Sequence, residues 1–469
     1  MDPILAVILV IVLLLGLLAL EVPVAWTLAI SGAVGLVMLG NWENAARVMA
    51  SRPYQDVAVF GFIVVPMYIL LGNFALEGKV ATQVFEIAAR LSGRRKWALG
   101  VATIGACAGF AAVSGSSIAT ATTIGKLAIP EMVKVGYRPS HAAGIVASGG
   151  TLGILIPPSI ILVLYGVLVG ESIAALLMAG IIPGILSAIA MGLYVMMRIG
   201  PKVDSKVFEK SLVTAGGSSS SSGGATGAGS AGSDVVIDAA MTPLRGLPWR
   251  GLFRILVIFA IIMVGIYGGW FTVSESAAIA ALVALVFLVQ ELRKQGLKEI
   301  LRACRRALLG AGATTSMAFT IVVGSATFSF FILMSGVPRE FAKWIADAGI
   351  EPWLVLLLFL AALIPLGMFL GPLSCMVILM PIAYPIVADF GFSGVWFGIL
   401  VVKVLELGMI TPPVGLNVYV VAGAAKELVT VEDVFKGVMG FFVVDLLLVL
   451  LMFAVPSIVL FLPNLLLGT

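Results

Sequence analysis

The sequence predicts an all-α polytopic membrane protein built from two inverted repeats, each with a re-entrant helical hairpin and a broken transmembrane helix. Three observations predict it. Hydrophobic residues make up 61% of the 469 residues and charged residues only 11%, where soluble domains carry about 25% charged residues. Two long apolar regions, 98–130 and 353–388, are each interrupted halfway by small residues, and each is followed by a span broken by a Pro-Pro pair. The two sets superimpose at a shift of 255 residues.

Taken along the chain, the continuous apolar segments are 3–20, 23–40, 58–76, 173–198, 253–270, 274–291, 308–334 and 437–462. Stretches such as Ile4–Ala19 and Leu446–Val459 carry no charge, and about 20 such residues suffice to cross a bilayer. The first segment reads as a span rather than a signal peptide: Asp2 is the only early charge, and no small-residue cleavage site follows. The net charge of +4 is modest and gives no reason to expect a nucleic-acid partner. Cys107, Cys304, Cys375 and the single histidine, His141, are too few and too dispersed for a disulfide framework or a metal centre.

The interruptions carry the chemistry. The first hairpin breaks at Ser114-Gly115-Ser116-Ser117 and the second at Gly371-Pro372-Leu373-Ser374. Span 142–170 breaks over Gly153–Pro158 and span 394–420 over Gly408–Pro413. A Pro-Pro pair removes two backbone donors and clashes with the preceding helical turn. Non-helical backbone at membrane depth is tolerated only where protein buries it or it lines a wet cavity, so all four breaks should face an internal site. At the 255 shift Pro157-Pro158 falls on Pro412-Pro413, Gly153 on Gly408, Pro130 on Pro385 and Ser116 on Gly371. Short amphipathic segments at 78–97 and 336–349 precede the hairpins in the same register. The organisation is therefore a first repeat over 1–200, a loop over 201–250 with a Gly/Ser-rich linker at 214–233, and a second repeat over 251–469.

Charge sets the orientation. Lys79, Arg90, Arg198, Arg250, Arg293, Arg306 and Lys436 belong to a basic set of loops, whereas the opposite set holds only Arg47, Arg52, Arg339 and Lys343. The basic side is cytoplasmic by the positive-inside rule. Both termini then lie outside and the hairpins open to opposite sides. The repeats are inverted, as alternating access requires.

Hydroxyls, freed carbonyls and half-helix ends can hold a sodium ion without burying many charges. The Ser114–Ser117 tip and the Gly153–Pro158 break offer such groups, and the second repeat offers them around Gly367–Gly371 and Gly408–Pro413, with Thr411 as an added hydroxyl. Half-helix N-termini favour a carboxylate substrate. Lys126, Lys403 and Glu406 stand out as charges within apolar spans; Lys403 and Glu406 are three apart and in reach of each other. Thr272-Val273-Ser274-Glu275 reads as a capping box. The chain has no nucleotide-binding motif and no HExxH. With no catalytic dyad expected at membrane depth, it is not expected to be an enzyme.

At these motifs the sequence resembles the large membrane (M) subunit of tripartite ATP-independent periplasmic (TRAP) transporters. The resemblance is carried by Pro66 through Asn73, the Ser114-Gly115-Ser116 tip with Ile129-Pro130, Ile156-Pro157-Pro158-Ser159, Ala179 through Gly184, Gly367-Met368-Phe369-Leu370, and Glu406 through Asn417. It implies an elevator-type transporter of the ion transporter superfamily in the bacterial inner membrane. Its expected partners are a small membrane (Q) subunit, a periplasmic substrate-binding protein, the lipid bilayer, and an organic anion such as a C4-dicarboxylate or sialic acid. It also implies two sodium sites, one at Ser114, Ser116, Gly153, Ile156 and Pro158, the other, by the repeat, at Phe369, Gly371, Gly408, Thr411 and Pro413. The family often has aspartate where this chain has Gly371, so a side-chain ligand is lost there. Ser117, Ser159 and Asn417 are the candidates for substrate contact. The alternative is a stand-alone sodium/dicarboxylate symporter of the same superfamily, which would not co-purify with a small four-helix subunit.

The 214–233 segment has the composition of a flexible coil. Deleting Gly216–Gly232 is expected to leave expression and reconstituted uptake unchanged; normal expression with abolished uptake would give the loop a mechanical role.

Overall fold

The computed structural model describes residues 2–40, 42–92, 96–198 and 249–467. The 214–233 linker and nearly all of the 201–250 loop lie outside the described residues. Every regular element among the described residues is a helix. Nine of these helical segments are long and apolar enough to cross a membrane.

The first half opens with α1 (Pro3–Ala19), α2 (Val24–Leu39) and α3 (Trp42–Val57), followed by α4 (Val64–Glu77), α5 (Val80–Ser92), α6 (Lys96–Ser114) and α7 (Ser117–Lys134). It ends with α8 (Pro139–Thr151), α9 (Ile160–Val169), α10 (Ile173–Ala179) and α11 (Ile181–Arg198). The second half runs through α12 (Trp249–Tyr267), α13 (Val273–Leu292), α14 (Leu297–Ser335), α15 (Val337–Asp347), α16 (Pro352–Phe369) and α17 (Pro372–Asp389). It closes with α18 (Gly394–Ile410), α19 (Leu416–Ala424), α20 (Val431–Ala454) and α21 (Ser457–Leu467).

Local chemistry sets the helix ends. Asp2 caps α1 by accepting from the Ile4 amide at 2.9 Å, and Pro3 follows at the first helical position, where its missing N–H costs nothing. Thr272 and Glu275 form the expected capping box at the start of α13, and Thr430 and Asp433 form a second one on α20. The outer faces are apolar: Ile4, Leu5, Ile8, Val12 and Leu15 of α1 are all exposed. In water such a stripe would be a liability; against lipid it is the expected surface.

The internal repeat is visible in the element boundaries. Both arms of the first hairpin end at residues, Ser114 and Lys134, that lie 255 before the ends of the second hairpin's arms, Phe369 and Asp389. Pro157-Pro158 and Pro412-Pro413 both have cis peptide bonds. The amphipathic segments at 78–97 and 336–349 are the helices α5 and α15. Packing also exchanges between the halves: α2 lies along α14 and α4 along α13, while α9 packs on α17 and α19 on α7. Arg306 pairs with Glu77 at 2.8 Å, and Arg254 reaches Glu291 at 2.8 Å and Gln83 at 3.2 Å.

Several boundaries differ from the sequence reading. The polar stretch after α2 is helical, as α3. The span expected over 308–334 is the end of the 39-residue α14, about 58 Å long at 1.5 Å per residue and so longer than the roughly 40–45 Å full bilayer. Its polar first turns hold Arg302 and Arg306, whose pairing with Glu299 and Glu77 lets the helix continue beyond the apolar stretch. The span expected over 437–462 divides into α20 and α21, before and after Pro456. Lys126, expected at membrane depth, projects from an exposed face of α7, which lets a long side chain reach water.

Small residues allow the closest helix contacts, as in other membrane bundles. α8 and α20 cross at Gly144 and Gly437: a Cβ on Gly144 would collide with the Gly437 backbone, and one on Gly437 with the Ser140 carbonyl. Gly437→Leu is therefore expected to lower stability by at least about 1–3 kcal/mol, the usual cost of overpacking, whereas Gly423→Leu, whose Cβ would meet nothing within 4 Å, should be tolerated. Thermal unfolding of the two variants in detergent checks this; equal melting temperatures would refute the backbone contact.

Candidate functional site

The first hairpin tip inserts into the first broken span. α6 ends at Ser114, and Gly115 takes a left-handed conformation, φ +60°, that reverses the chain. Ser116 is extended and caps α7 by accepting from the Ala119 amide at 3.3 Å. Opposite it, α8 stops at Thr151, a short 3-10 turn covers Leu152–Ile154, and the backbone stays non-helical to Ser159. Glycines make the approach possible. A Cβ on Gly153 would lie 2.6 Å from the Ser116 carbonyl oxygen and 2.8 Å from the Ser117 nitrogen. A Cβ on Gly115 would lie 2.5 Å from the Pro158 carbonyl oxygen, and one on Gly72 of α4 2.8 Å from that of Ser114. The Ser116 carbonyl thus lies against Gly153, the Pro158 carbonyl against Gly115 and the Ser114 carbonyl against Gly72.

Hydroxyls extend this cluster. Thr120 donates to the Ser116 carbonyl at 2.8 Å. Its oxygen is 3.0 Å from Ser114 Oγ, which therefore donates to it and keeps its own lone pairs open. Thr120 was not among the residues expected from sequence, although it lies one helical turn beyond Ser116. Ile156 is half-buried, its side chain packed against Gly184 of α11.

The second site is more open. Gly367 and Gly408 meet backbone to backbone, a Cβ on Gly408 falling 2.7 Å from the Gly367 Cα. The Gly415 amide donates to the Met368 carbonyl at 3.2 Å, tying the break to the hairpin arm. Thr411 Oγ1 donates back to the Leu407 carbonyl. Beyond these contacts the tip stands clear: Phe369 is 62% exposed, Pro412 and Pro413 are exposed, and nothing approaches a Gly371 Cβ closer than Leu416 Cδ1 at 3.7 Å. Here Leu370 is extended where Gly115 turns left-handed in the first tip. The two candidate sites share a register but not a degree of closure.

The three residues expected at the substrate divide. Ser117 is buried where the halves meet, its hydroxyl 3.5 Å from Met409 Sδ of α18. Asn417, also buried, donates to the Ala147 carbonyl of α8 at 3.4 Å and leaves Oδ1 without a partner. Ser159 caps α9: its hydroxyl donates to the Ile154 carbonyl and accepts from the Leu162 amide at 3.2 Å. That hydroxyl is fully buried and occupied by local backbone, so the structure brings Ser117 and Asn417 to the inter-half seam but places Ser159 in a capping position.

Lys403 and Glu406 pair as their spacing suggested, at 2.6 Å, and Asp445 of α20 joins them, 2.8 Å from Lys403 Nζ. All three side chains are fully buried. The sequence paired Lys403 with Glu406 alone; the structure adds Asp445 as a third member. Asp445 escaped notice because it interrupts an apolar run and its partners lie on another helix.

Comparison with known proteins agrees with this architecture. The family described as "Tripartite ATP-independent periplasmic transporter, DctM component" matches residues 11–458. The C4-dicarboxylate TRAP transporter large permease protein of Rhodobacter capsulatus is 32% identical over 458 residues, covering 93% of this chain and 95% of the relative. The sialic acid TRAP transporter large permease protein of Vibrio cholerae is 30% identical over 465 residues, covering 97% of each. Among solved structures, the YdaH transporter of Alcanivorax borkumensis shares the fold, with a TM-score of 0.63 at 14% identity over 93% of this chain and 97% of that one. A chain whose described residues are all-α, with nine helices among them apolar and long enough to cross a membrane, and which one family matches over nearly its whole length, belongs to that family: it is a multi-pass membrane protein, the DctM component of a tripartite ATP-independent periplasmic transporter.

Proposed function

We propose that the chain drives sodium-coupled uptake of an organic anion across the bacterial inner membrane by an elevator form of alternating access between two inverted repeats. The observation that carries this reading is the seam between the first hairpin tip and the first break, where the Ser116 carbonyl oxygen lies against Gly153 and the Pro158 carbonyl oxygen against Gly115. These are hard oxygen ligands without formal charge, the kind a broken transmembrane helix offers a sodium ion. The repeat-related segment at Gly408–Pro413 supplies the second ion site, with Phe369, Gly371 and Thr411 beside it. Lacking a side chain at Gly371, that site relies on backbone and on the Thr411 hydroxyl.

The substrate belongs to the classes named for the relatives, a C4-dicarboxylate or a sialic acid, and reaches the chain from a periplasmic binding protein. A carboxylate suits a site between half-helix N-termini; α7, α9 and α19 begin next to the two breaks. A small membrane subunit completes the complex, since the relatives are large permease proteins. In the elevator cycle the hairpins and broken spans move together against a frame formed by α2, α4, α13 and α14. The pairing of α2 with α14 and of α4 with α13 supports assigning these four to one rigid unit.

Reconstituted with its binding protein and small subunit, the chain should accumulate substrate only with sodium outside. Uptake that persists with potassium in place of sodium, or that requires ATP, would refute the coupling. Ser114→Ala and Thr120→Val should each raise the sodium concentration for half-maximal uptake about 2- to 10-fold, matching about 0.5–1.5 kcal/mol for one polar contact. Ser116→Ala should do less to sodium affinity, because the Ser116 contribution is its carbonyl and the hydroxyl caps α7. Gly153→Val should abolish uptake, since its side chain has no room beside Ser116. Unchanged sodium titrations for Ser114→Ala and Thr120→Val would limit the site to carbonyls.

A further inference from the structure

We propose that Glu171, in the loop after the first broken span, is a positioning residue for transport: with Tyr384 it clamps the base of the second hairpin to the first half. The inference holds whichever ion drives uptake.

The clamp is built from both halves. Gly170 takes a left-handed conformation, φ +78°, and ends α9. The Glu171 amide then donates to the Gly166 carbonyl at 2.9 Å, which fixes the Glu171 backbone to the end of that helix. Its side chain crosses to the second half, where Oε1 accepts from the Tyr384 hydroxyl of α17 at 2.9 Å. The same carboxylate lies against Gly394, the first residue of α18, and a Cβ there would collide with Oε1. A negative charge suits that place, since the start of a helix carries partial positive charge. Tyr165 of α9 reinforces the link. Its hydroxyl donates to the Gly394 carbonyl at 2.8 Å, and its ring meets that of Tyr384 edge to face at 6.4 Å. A Cβ on Gly398 of α18 would lie 2.5 Å from the same ring.

The clamp sits where the hairpin arm is weakest. Pro381 and Pro385 both lie inside α17. Each lacks the N–H that would bond to the carbonyl four residues before it, so the arm loses backbone bonds on either side of Tyr384. Helices bend at such points. Ahead of Pro381 lies the part of α17 next to the second tip, where Cys375 through Met380 are buried. A bond from the other half at Tyr384 stiffens the arm directly behind that segment.

Helix packing alone does not call for the clamp. At the 255 shift Glu171, Tyr384, Tyr165 and Gly394 correspond to Lys426, Ile129, Val420 and Pro139, so the first hairpin has no counterpart of either hydroxyl link. Its return arm, α7, contains one internal proline, Pro130, and its tip is tied to itself through Thr120. The first hairpin is thus secured at its tip and the second at its base. Glu171 limits how far the second hairpin swings from the first half.

Two native thiols test this, because they report on the two hairpins separately. Cys375 of α17 and Cys107 of α6 are both fully buried, and Cys304→Ser removes the third cysteine. Maleimide labelling of this full-length parent in detergent, read by mass spectrometry, should be slow at both sites. Tyr384→Phe and Glu171→Ala should each speed labelling of Cys375 about 10-fold, as for loss of a hydrogen bond to a charged acceptor, and leave Cys107 unchanged. The double variant should label no faster than either single one, because both act through one bond. Glu171→Gln keeps an acceptor oxygen and should retain slow labelling. Uptake by the reconstituted transporter should fall in Tyr384→Phe and Glu171→Ala and be retained in Glu171→Gln. Unchanged Cys375 labelling, an equal rise at Cys107, additive effects in the double variant, Glu171→Gln behaving as Glu171→Ala, or full uptake by Tyr384→Phe would each overturn the proposal.

Discussion

Much of the architecture depends on one constraint: a backbone carbonyl released from a helix at membrane depth must be met by protein, water or an ion. Four helical runs are interrupted in this chain, and each interruption releases such groups. The fold answers by bringing a hairpin tip to each break, Ser116 against Gly153 in the first half and Gly367 against Gly408 in the second. Glycine at these positions follows directly, since any side chain would hold the released carbonyls apart. The capping serines act in the same way. Ser116 and Ser159 satisfy the first amides of α7 and α9, so the backbone restarts as helix directly after each break, and the groups left open are carbonyls rather than amides.

What could be read from the sequence was whatever recurs locally. Pro-Pro pairs, glycine-rich interruptions and uncharged runs act on their own neighbours, and their repetition 255 residues later located both hairpins closely. Helix ends set by longer-range pairing were not legible. α14 begins well before its apolar stretch because Arg306 reaches Glu77, more than two hundred residues away in the chain. Asp445 was missed for a similar reason: Lys403 and Glu406 announce each other by helical spacing, whereas a carboxylate on α20 gives no sign in sequence of which helix it faces. Thr120 lies one turn from Ser116, but threonine in an apolar helix usually bonds only to its own backbone. Its link to Ser114 appears only once the tip is folded.

The equivalence of the repeats ends at the level of closure. In the first half the tip is left-handed at Gly115, its serines are linked through Thr120, and the break is buried. In the second half Leu370 keeps the tip extended, Gly371 brings no hydroxyl, and Phe369 with both prolines of the break is exposed. Sequence divergence at a few tip positions is enough to explain this. A hydroxyl relay cross-links the first tip to itself, and without one the second tip is held mainly by the Gly367–Gly408 contact and the Gly415 amide. Fewer polar links mean less free energy opposing separation of the second tip from its break, so that tip is the easier of the two to open.

The exchange of packing between halves gives that difference a consequence. α19, which follows the open second break, lies on α7 of the closed first hairpin, and Asn417 on α19 bonds to Ala147 on α8. Reciprocally, α9, which follows the closed break, packs on α17 of the open hairpin. Neither hairpin can shift far without disturbing the helix that emerges from the other half's break. Ser117 of the first tip also touches Met409, directly after Gly408 of the second break. Ordering of one break by the proposed ion would therefore alter the surface on which the opposite hairpin rests. Coupling between the two proposed ion sites would need a shared element whose arrangement both can bias, and the crossed packing of α7, α9, α17 and α19 joins the two breaks in that way.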